Sequence, residues 1–173
     1  ANAQETVTTQ GVAIGVNYFF KKYNLGGNYS WNVLNKQGTD DPIIPAFNTP
    51  EHKFNISFSG TKVKLPFVDN ENFGFGINYK WIQGFVFEGS PQFTGTVPTY
   101  DMLDAQINYE IPKWNMTFKL GGSNIIGILP LFDAAGENTQ RSVFNNLNYQ
   151  VYGGPFVGRM VYFSAQHNLV FKK

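Results

Sequence analysis

Apolar and polar positions alternate along most of the chain with a period of two. Between 73 and 81, Phe73, Phe75, Ile77, Tyr79 and Trp81 fall on one side of an extended backbone, with Gly74, Gly76, Asn78 and Lys80 on the other. The stretch 103–111 repeats this, setting Leu103, Ala105, Ile107, Tyr109 and Ile111 against Asp104, Gln106, Asn108 and Glu110. Trp114, Met116, Phe118 and Leu120 alternate with Asn115, Thr117 and Lys119, and Phe54, Ile56 and Phe58 with Asn55, Ser57 and Ser59. Near the start, Val12, Ile14, Val16, Tyr18 and Phe20 mark one strand. Leu25, Gly27, Tyr29, Trp31 and Val33 mark the next, opposite Gly26, Asn28, Ser30 and Asn32. Side chains of a strand point alternately to opposite faces, so each segment has one greasy and one wet face. No segment carries a helical period. The pattern predicts seven strands, over 11–22, 25–36, 52–64, 72–87, 100–111, 114–126 and 157–171.

These strands are long. Ten or more alternating residues exceed the usual globular length of about 5–6 and suit a tilted membrane-spanning strand of about 9–11. Aromatic residues gather near strand ends (Tyr18, Phe20, Trp31, Trp81, Tyr109, Trp114), where the girdles of a transmembrane β-barrel would lie. The links alternate in length. Lys22-Tyr23-Asn24, Leu65 to Glu71 and Pro112-Lys113 are short, whereas 37–51, 88–99 and 127–156 are long. Outer-membrane barrels have short periplasmic turns and longer extracellular loops. On that basis the short set is expected to be periplasmic, together with the C-terminus. Counting back then starts the first strand outside the cell. Single-chain bacterial barrels have an even strand number. The expectation is therefore an antiparallel all-β transmembrane barrel segment, with residues 1–173 forming the C-terminal portion of a larger barrel. An eighth strand within 127–150 or in 1–10 would instead make a complete small barrel with a structural or adhesion role.

Composition agrees with one greasy and one wet, uncharged face. Aromatics are 17% of the 173 residues, with 17 Phe and 9 Tyr. Charged residues are 14%, against about 25% in ordinary soluble domains. Mean hydropathy is still slightly negative, at −0.24, because Asn, Gln, Ser, Thr and Gly carry the polarity. A soluble β-sandwich binder would share the period of two but carry more charge on its outer faces. Net charge is +1 and the basic residues are scattered, so no nucleic-acid partner is expected. There is no cysteine, hence no disulfide framework. No apolar run is long enough for a transmembrane helix, which needs about 18 or more residues.

Candidate chemistry is sparse. The histidines are His52, beside a long link, and His167, in the last strand. Adjacent strand residues point apart, so Glu51 and His52 are not expected to share a metal ion. A barrel hydrolase would have His167 as its one internal base, on the face predicted to meet lipid. Asp40-Asp41 and Asp69-Asn70-Glu71-Asn72 read as solvated turns, since calcium needs about six to eight oxygen ligands. No catalytic, metal or cofactor site is expected. The row Asp104, Gln106, Asn108 and Glu110 is expected to face the lumen, with Arg159 a candidate ion-pair partner for Asp104. Phe163, Ala165, Leu169 and Phe171 alternate in a terminal strand of the kind that barrel-assembly machinery recognises.

Several segments together resemble the C-terminal barrel of TonB-dependent receptors of the Bacteroidetes type. They are Phe47-Asn-Thr-Pro-Glu-His-Lys-Phe-Asn55, Phe73-Gly-Phe-Gly-Ile-Asn-Tyr-Lys-Trp81, Phe87-Glu-Gly-Ser-Pro91, Asp104-Ala-Gln-Ile-Asn-Tyr109, Phe118-Lys-Leu-Gly-Gly-Ser-Asn124 and Tyr152-Gly-Gly-Pro-Phe-Val-Gly-Arg-Met160. The resemblance covers roughly residues 11–171. It implies a barrel of about 22 strands closed by a separate plug domain, in the outer membrane of a Gram-negative bacterium. The whole protein would be no enzyme. It would import a scarce nutrient (metal chelate, vitamin, glycan or peptide) with energy from the TonB system acting through the plug. The expected partners are outer-membrane lipid, TonB and the assembly machinery. The resemblance leaves open a surface lipoprotein as a further partner.

Overall fold

The computed structural model describes residues 7–36, 49–66, 68–88, 94–97, 99–126 and 159–169. The strands are β1 (Val7–Phe20), β2 (Tyr23–Lys36), β3 (His52–Leu65), β4 (Val68–Ile82), β5 (Phe85–Glu88), β6 (Thr94–Val97), β7 (Tyr100–Ile111), β8 (Met116–Ser123) and β9 (Met160–His167). Seven of them form one sheet in the order β1-β2-β3-β4-β7-β8-β9. Every neighbouring pair is antiparallel, so the sheet is a simple meander. The predicted strands all appear, but the expected strand over 72–87 does not run through. Its ladder stops at Ile82, and Phe85–Glu88 turns away to pair with Thr94–Val97 as a separate hairpin. Gly84 marks the break, where its N–H donates to Thr99 Oγ1 at 2.9 Å. β4 also starts earlier than the pattern suggested, at Val68, which shortens the β3–β4 link. A single turn of 3₁₀ helix, Pro112–Trp114, delays the start of β8 to Met116. Asn115 closes that turn in the left-handed region at φ 49°, a conformation that Asn tolerates better than most residues. The alternative eighth strand within 127–150 lies outside the described residues, as do positions 157, 158, 170 and 171 of the expected last strand.

Register carries the alternation of each strand across the whole sheet. Ile14 faces Tyr29, Tyr29 faces Phe54, Phe54 faces Trp81, and Trp81 faces Asp101. Nearer the short turns, Leu25 faces Phe58, Phe58 faces Ile77 and Ile77 faces Ala105. Ile107 then faces Leu120, and Leu120 faces Phe163. One face is therefore apolar from β1 to β9. The sequence of β3 breaks its own alternation, with Phe54, Ile56 and Phe58 at even positions but Val63 and Leu65 at odd ones. A β-bulge between Gly60 and Val63 absorbs the extra residue, with Lys62 at φ 54°. Such a bulge restores facing, so Val63 still pairs with Phe73 on the greasy side.

The sheet has almost no interior. Among the described residues, Tyr100 is the one buried hydrophobic residue. Val16 is 63% exposed and Phe163 68%. A single sheet exposing a continuous apolar face this wide is unstable in water, since isolated patches on soluble monomers reach only a few hundred Å². In a bilayer the same face is already in its preferred solvent, and the ladder satisfies the backbone N–H and C=O groups that lipid cannot.

Candidate functional site

The polar face is built from the positions between the apolar ones. Asn28 opposes Asn55, Ser57 opposes Asn78, and Asn78 opposes Asp104. Asn108 opposes Lys119, and Lys119 opposes Ser164. Asp104, Gln106, Asn108 and Glu110 thus lie together along β7 on this face, opposite the apolar row of the same strand. Arg159 does not pair with Asp104. Asp104 Oδ1 instead accepts from Ser123 Oγ at 2.7 Å and from the Asn124 N–H at 2.8 Å. The chain leaves the ladder at this point. Ile125 N–H donates back to Leu103 O at 2.7 Å, and Asn124 sits at φ 51° with 3% exposure. Asp104 therefore anchors the exit of β8, a role that only the fold reveals because its partners lie 19 and 20 residues away.

A side chain that the sequence reading did not single out completes this wall. Tyr162 of β9 reaches over β8, and its hydroxyl donates to Gln106 Oε1 at 3.0 Å. The ring can cross because Gly121 lies beneath it; a Cβ there would come within 2.7 Å of Tyr162 Cε1 and closer still to Cζ. The pairing register brings Gly121 opposite Tyr162, so the signal was the small residue in β8 facing an aromatic in β9. Beneath and beside the tyrosine, the polar face hollows into an open groove of about 450 Å³. Ser57, Ser59, Asn78, Asp104, Gln106, Ser123 and Tyr162 contribute its polar lining, and Gly76, Ile77, Ala105 and Gly122 complete it.

The apolar face carries two aromatic belts. At the end with short turns lie Tyr18, Phe20, Tyr23, Phe73 and Phe75. Tyr23 stacks on Phe58 at 5.9 Å, and Phe58 packs edge-tilted on Phe75 at 5.2 Å. Lys21 Nζ sits 5.4 Å from the Phe20 ring centre, a cation–π contact. At the opposite end, Phe54 stacks on Trp81 at 5.4 Å. There the polar tips of the belt are tied together. Tyr29 Oη and His52 Nδ1 are 2.6 Å apart, Trp31 Nε1 donates to Glu51 Oε1 at 3.2 Å, and Tyr79 Oη donates to Asp101 Oδ2 at 3.1 Å. Glu51 and His52 do not diverge as expected. Glu51 precedes β3, so strand alternation does not govern it, and its Oε1 lies 3.6 Å from His52 Nε2. Amphipathic side chains of this kind, with an apolar body and a bonded polar tip, suit a membrane–water interface.

The remaining sequence candidates are less connected. Phe163 and Ala165 occupy the apolar face of β9, opposite Leu120 and Phe118. Leu169 lies just past the strand and is 69% exposed, while Phe171 is outside the described residues. His167 opposes Met116 at the short-turn end. Among the described residues no group of three or more His, Cys, Asp or Glu could hold a metal ion. No described helix is long and apolar enough to cross a membrane, which says nothing of crossing by strands.

The fold is similar to solved outer-membrane receptors. A structure of the FpvAI–pyocin S2 complex matches with TM-score 0.54 at 12% identity, covering 70% of this chain and 15% of that one. The ferripyoverdine receptor of the outer membrane of Pseudomonas aeruginosa bound to ferripyoverdine matches with TM-score 0.53 at 12% identity, covering 69% of this chain and 16% of that one. P. aeruginosa FpvA bound to heterologous pyoverdines matches with TM-score 0.57 at 11% identity, covering 92% and 19%. This chain thus spans less than a fifth of each of these proteins. No curated protein sequence matches it. The family model described as "TonB dependent receptor-like, beta-barrel" matches residues 1–125. With that match added to a seven-strand meander, greasy on one face and wet on the other, the chain belongs to the TonB-dependent receptor-like β-barrel family, whose members are outer-membrane receptors and not enzymes.

Proposed function

We propose that this chain is a wall sector of a TonB-dependent importer, with its apolar face on lipid and its polar face on the lumen. The carrying observation is the register. Seven strands deliver their apolar positions to one continuous face while the polar positions meet on the other. In this reading the row Asp104, Gln106, Asn108 and Glu110 lines the passage. The tight connections, such as Phe20 to Tyr23 and Ile111 to Met116, face the periplasm with the C-terminus. The links that join β2 to β3, β4 to β7 and β8 to β9 face outward, where loops on a rigid scaffold capture ligand. The nutrient is taken up through rearrangement of a plug domain driven by TonB. Phe163, Ala165, Leu169 and Phe171 supply the terminal signal read by the assembly machinery, and a surface lipoprotein is compatible with the outward loops.

The orientation is tested by single cysteines in whole cells, since the chain has none of its own. Lys21→Cys and Lys113→Cys, in the tight turns, should react with a membrane-impermeant maleimide only after the outer membrane is opened. Gly84→Cys, at the base of the β5–β6 hairpin, should react in intact cells. Labelling of both turn cysteines in intact cells would invert the topology.

A further inference from the structure

Building on the import reading, we infer that the corner of the short-turn rim where β1, β2 and β3 meet is a docking site for anionic phospholipid headgroups. Three observations carry it. First, register gathers lysines that lie apart in the sequence. Tyr23 pairs with Gly60, and the Thr61 N–H donates to Lys22 O at 2.9 Å. The β1–β2 turn, with Lys21 and Lys22, is thereby held against the β3 bulge, with Lys62. Lys64 follows, and Asp69 and Glu71 come at the start of β4, so residues 20–24 and 60–72 hold four lysines against two carboxylates. Second, the backbone does not ask for lysine here. Among the described residues, the non-glycine positions with positive φ are Asn115, Asn124, Lys21 at 52° and Lys62 at 54°. Asparagine and glycine accept that region with less strain than a long side chain does. What lysine adds at both corner positions is its charge, and both side chains are exposed. Third, the charge lies on the membrane side. Lys21 Nζ is 5.4 Å from the centre of the Phe20 ring, and Phe20 pairs with Tyr23 in the aromatic belt of the apolar face. A lysine stem laid on such a belt brings its ammonium to the level of the headgroup phosphates. At the opposite rim the charged groups bonded to the belt include the carboxylates of Glu51 and Asp101, which repel phosphate. Completing the barrel adds strands beyond β1 and β9, and a plug fills the polar side. Neither covers the apolar side of this corner. In the import reading this rim faces the periplasm, the side on which the outer membrane presents phospholipid.

The test uses the full-length receptor in phosphatidylcholine vesicles. Thr61→Cys, in a cysteine-free background, carries a bimane fluorophore beside the lysines. Phosphatidylglycerol or phosphatidylcholine with a nitroxide near its headgroup is added at the same mole fraction as quencher. The phosphatidylglycerol probe is expected to quench more strongly, with an apparent affinity about fivefold higher, the worth of about one lysine beside an anionic surface. The preference should fall as salt rises. Lys21→Asn with Lys62→Asn removes both charges in residues that accept positive φ, and should bring the two probes level. Lys21→Arg with Lys62→Arg should keep the preference. Lys80→Asn, on the polar face opposite Asn55, should leave it unchanged. Heat-modifiable migration on gels reports folding, and Lys21→Gly with Lys62→Gly replaces the asparagine pair if that pair does not fold. Equal quenching by the two probes overturns the inference and leaves the lysines to an acidic protein segment. A preference that survives loss of both lysines overturns it as well. Either result, so long as both lipids quench, still puts the corner at the lipid boundary and keeps the wall reading. Quenching by neither probe takes the corner off the lipid boundary, and removes the lipid-facing assignment together with the inference that rests on it.

Discussion

Gly121 should tolerate no side chain while Tyr162 is present, and should tolerate one readily once the tyrosine is gone. The φ of Gly121 is outside the left-handed region, so alanine is compatible with its backbone. The obstacle is the ring of Tyr162, which occupies the space that a Cβ would need. In Gly121→Ala the ring must swing off the strand, and its bond to Gln106 Oε1 at 3.0 Å is lost. That bond is worth about 1 kcal/mol net, and forcing extra volume into a close contact costs about 1–3 kcal/mol. Against this, alanine reduces the freedom of the unfolded chain by about 0.4–1 kcal/mol. The expected result is a loss of about 1–3 kcal/mol in Gly121→Ala. In a Tyr162→Ala background the same change should be neutral or slightly stabilising. The pair should therefore show a coupling of about 1–3 kcal/mol. Urea unfolding of the full-length receptor in lipid vesicles, read from the folded band on unheated gels, measures all four proteins. Equal cost of Gly121→Ala in both backgrounds would refute the argument and leave Tyr162 as an ordinary wall residue. An aromatic laid over a glycine also pins strand register, which matters for β9, whose residues are all exposed.

Other outcomes follow from the two faces and the anchors. Ile77→Lys, between Phe58 and Ala105 on the apolar face, should cost about 2–4 kcal/mol near the bilayer midplane. Asn78→Lys, one residue on, should cost little; similar losses for both in vesicle folding titrations would contradict the assigned faces. Asp104→Ala leaves Ser123 Oγ and the Asn124 N–H without their acceptor and should destabilise by about 1–3 kcal/mol. Asp104→Asn keeps an oxygen there and should recover most of the loss, which unfolding of the two variants side by side will show. Asn115→Val places a β-branched residue at φ 49° and should cost about 1–3 kcal/mol. Asn115→Gly should not, and a harmless valine would mean that the turn is not held in the left-handed region.

The sequence by itself determined the existence and facing of the strands. Ile77 and Asn78 belong to opposite faces because of local stereochemistry alone, and an alternation sustained over ten residues reports it wherever the strand pairs. The short connections were equally legible, since Pro112-Lys113 leaves no room for anything but a tight turn. Only the tertiary structure decided what depends on register. That Tyr162 crosses Gly121 to reach Gln106 requires β9, β8 and β7 to align, across a separation of 56 residues. The anchoring of Asp104 by Ser123 and Asn124, in place of Arg159, has the same origin. The break after Ile82 escaped a local reading because Phe85 and Phe87 continue the alternation of β4. What ends the strand is the departure of the chain into its own hairpin, with the Gly84 N–H held by Thr99. The bulge at Lys62 is an intermediate case. The shift of apolar residues from even to odd positions in β3 required some irregularity, but only pairing with β4 fixed where the extra residue goes. Alternation is a property of one strand and can be read along it. A groove, a tyrosine bonded across two strands or an anchored exit is a property of several strands, and exists only once their register is set.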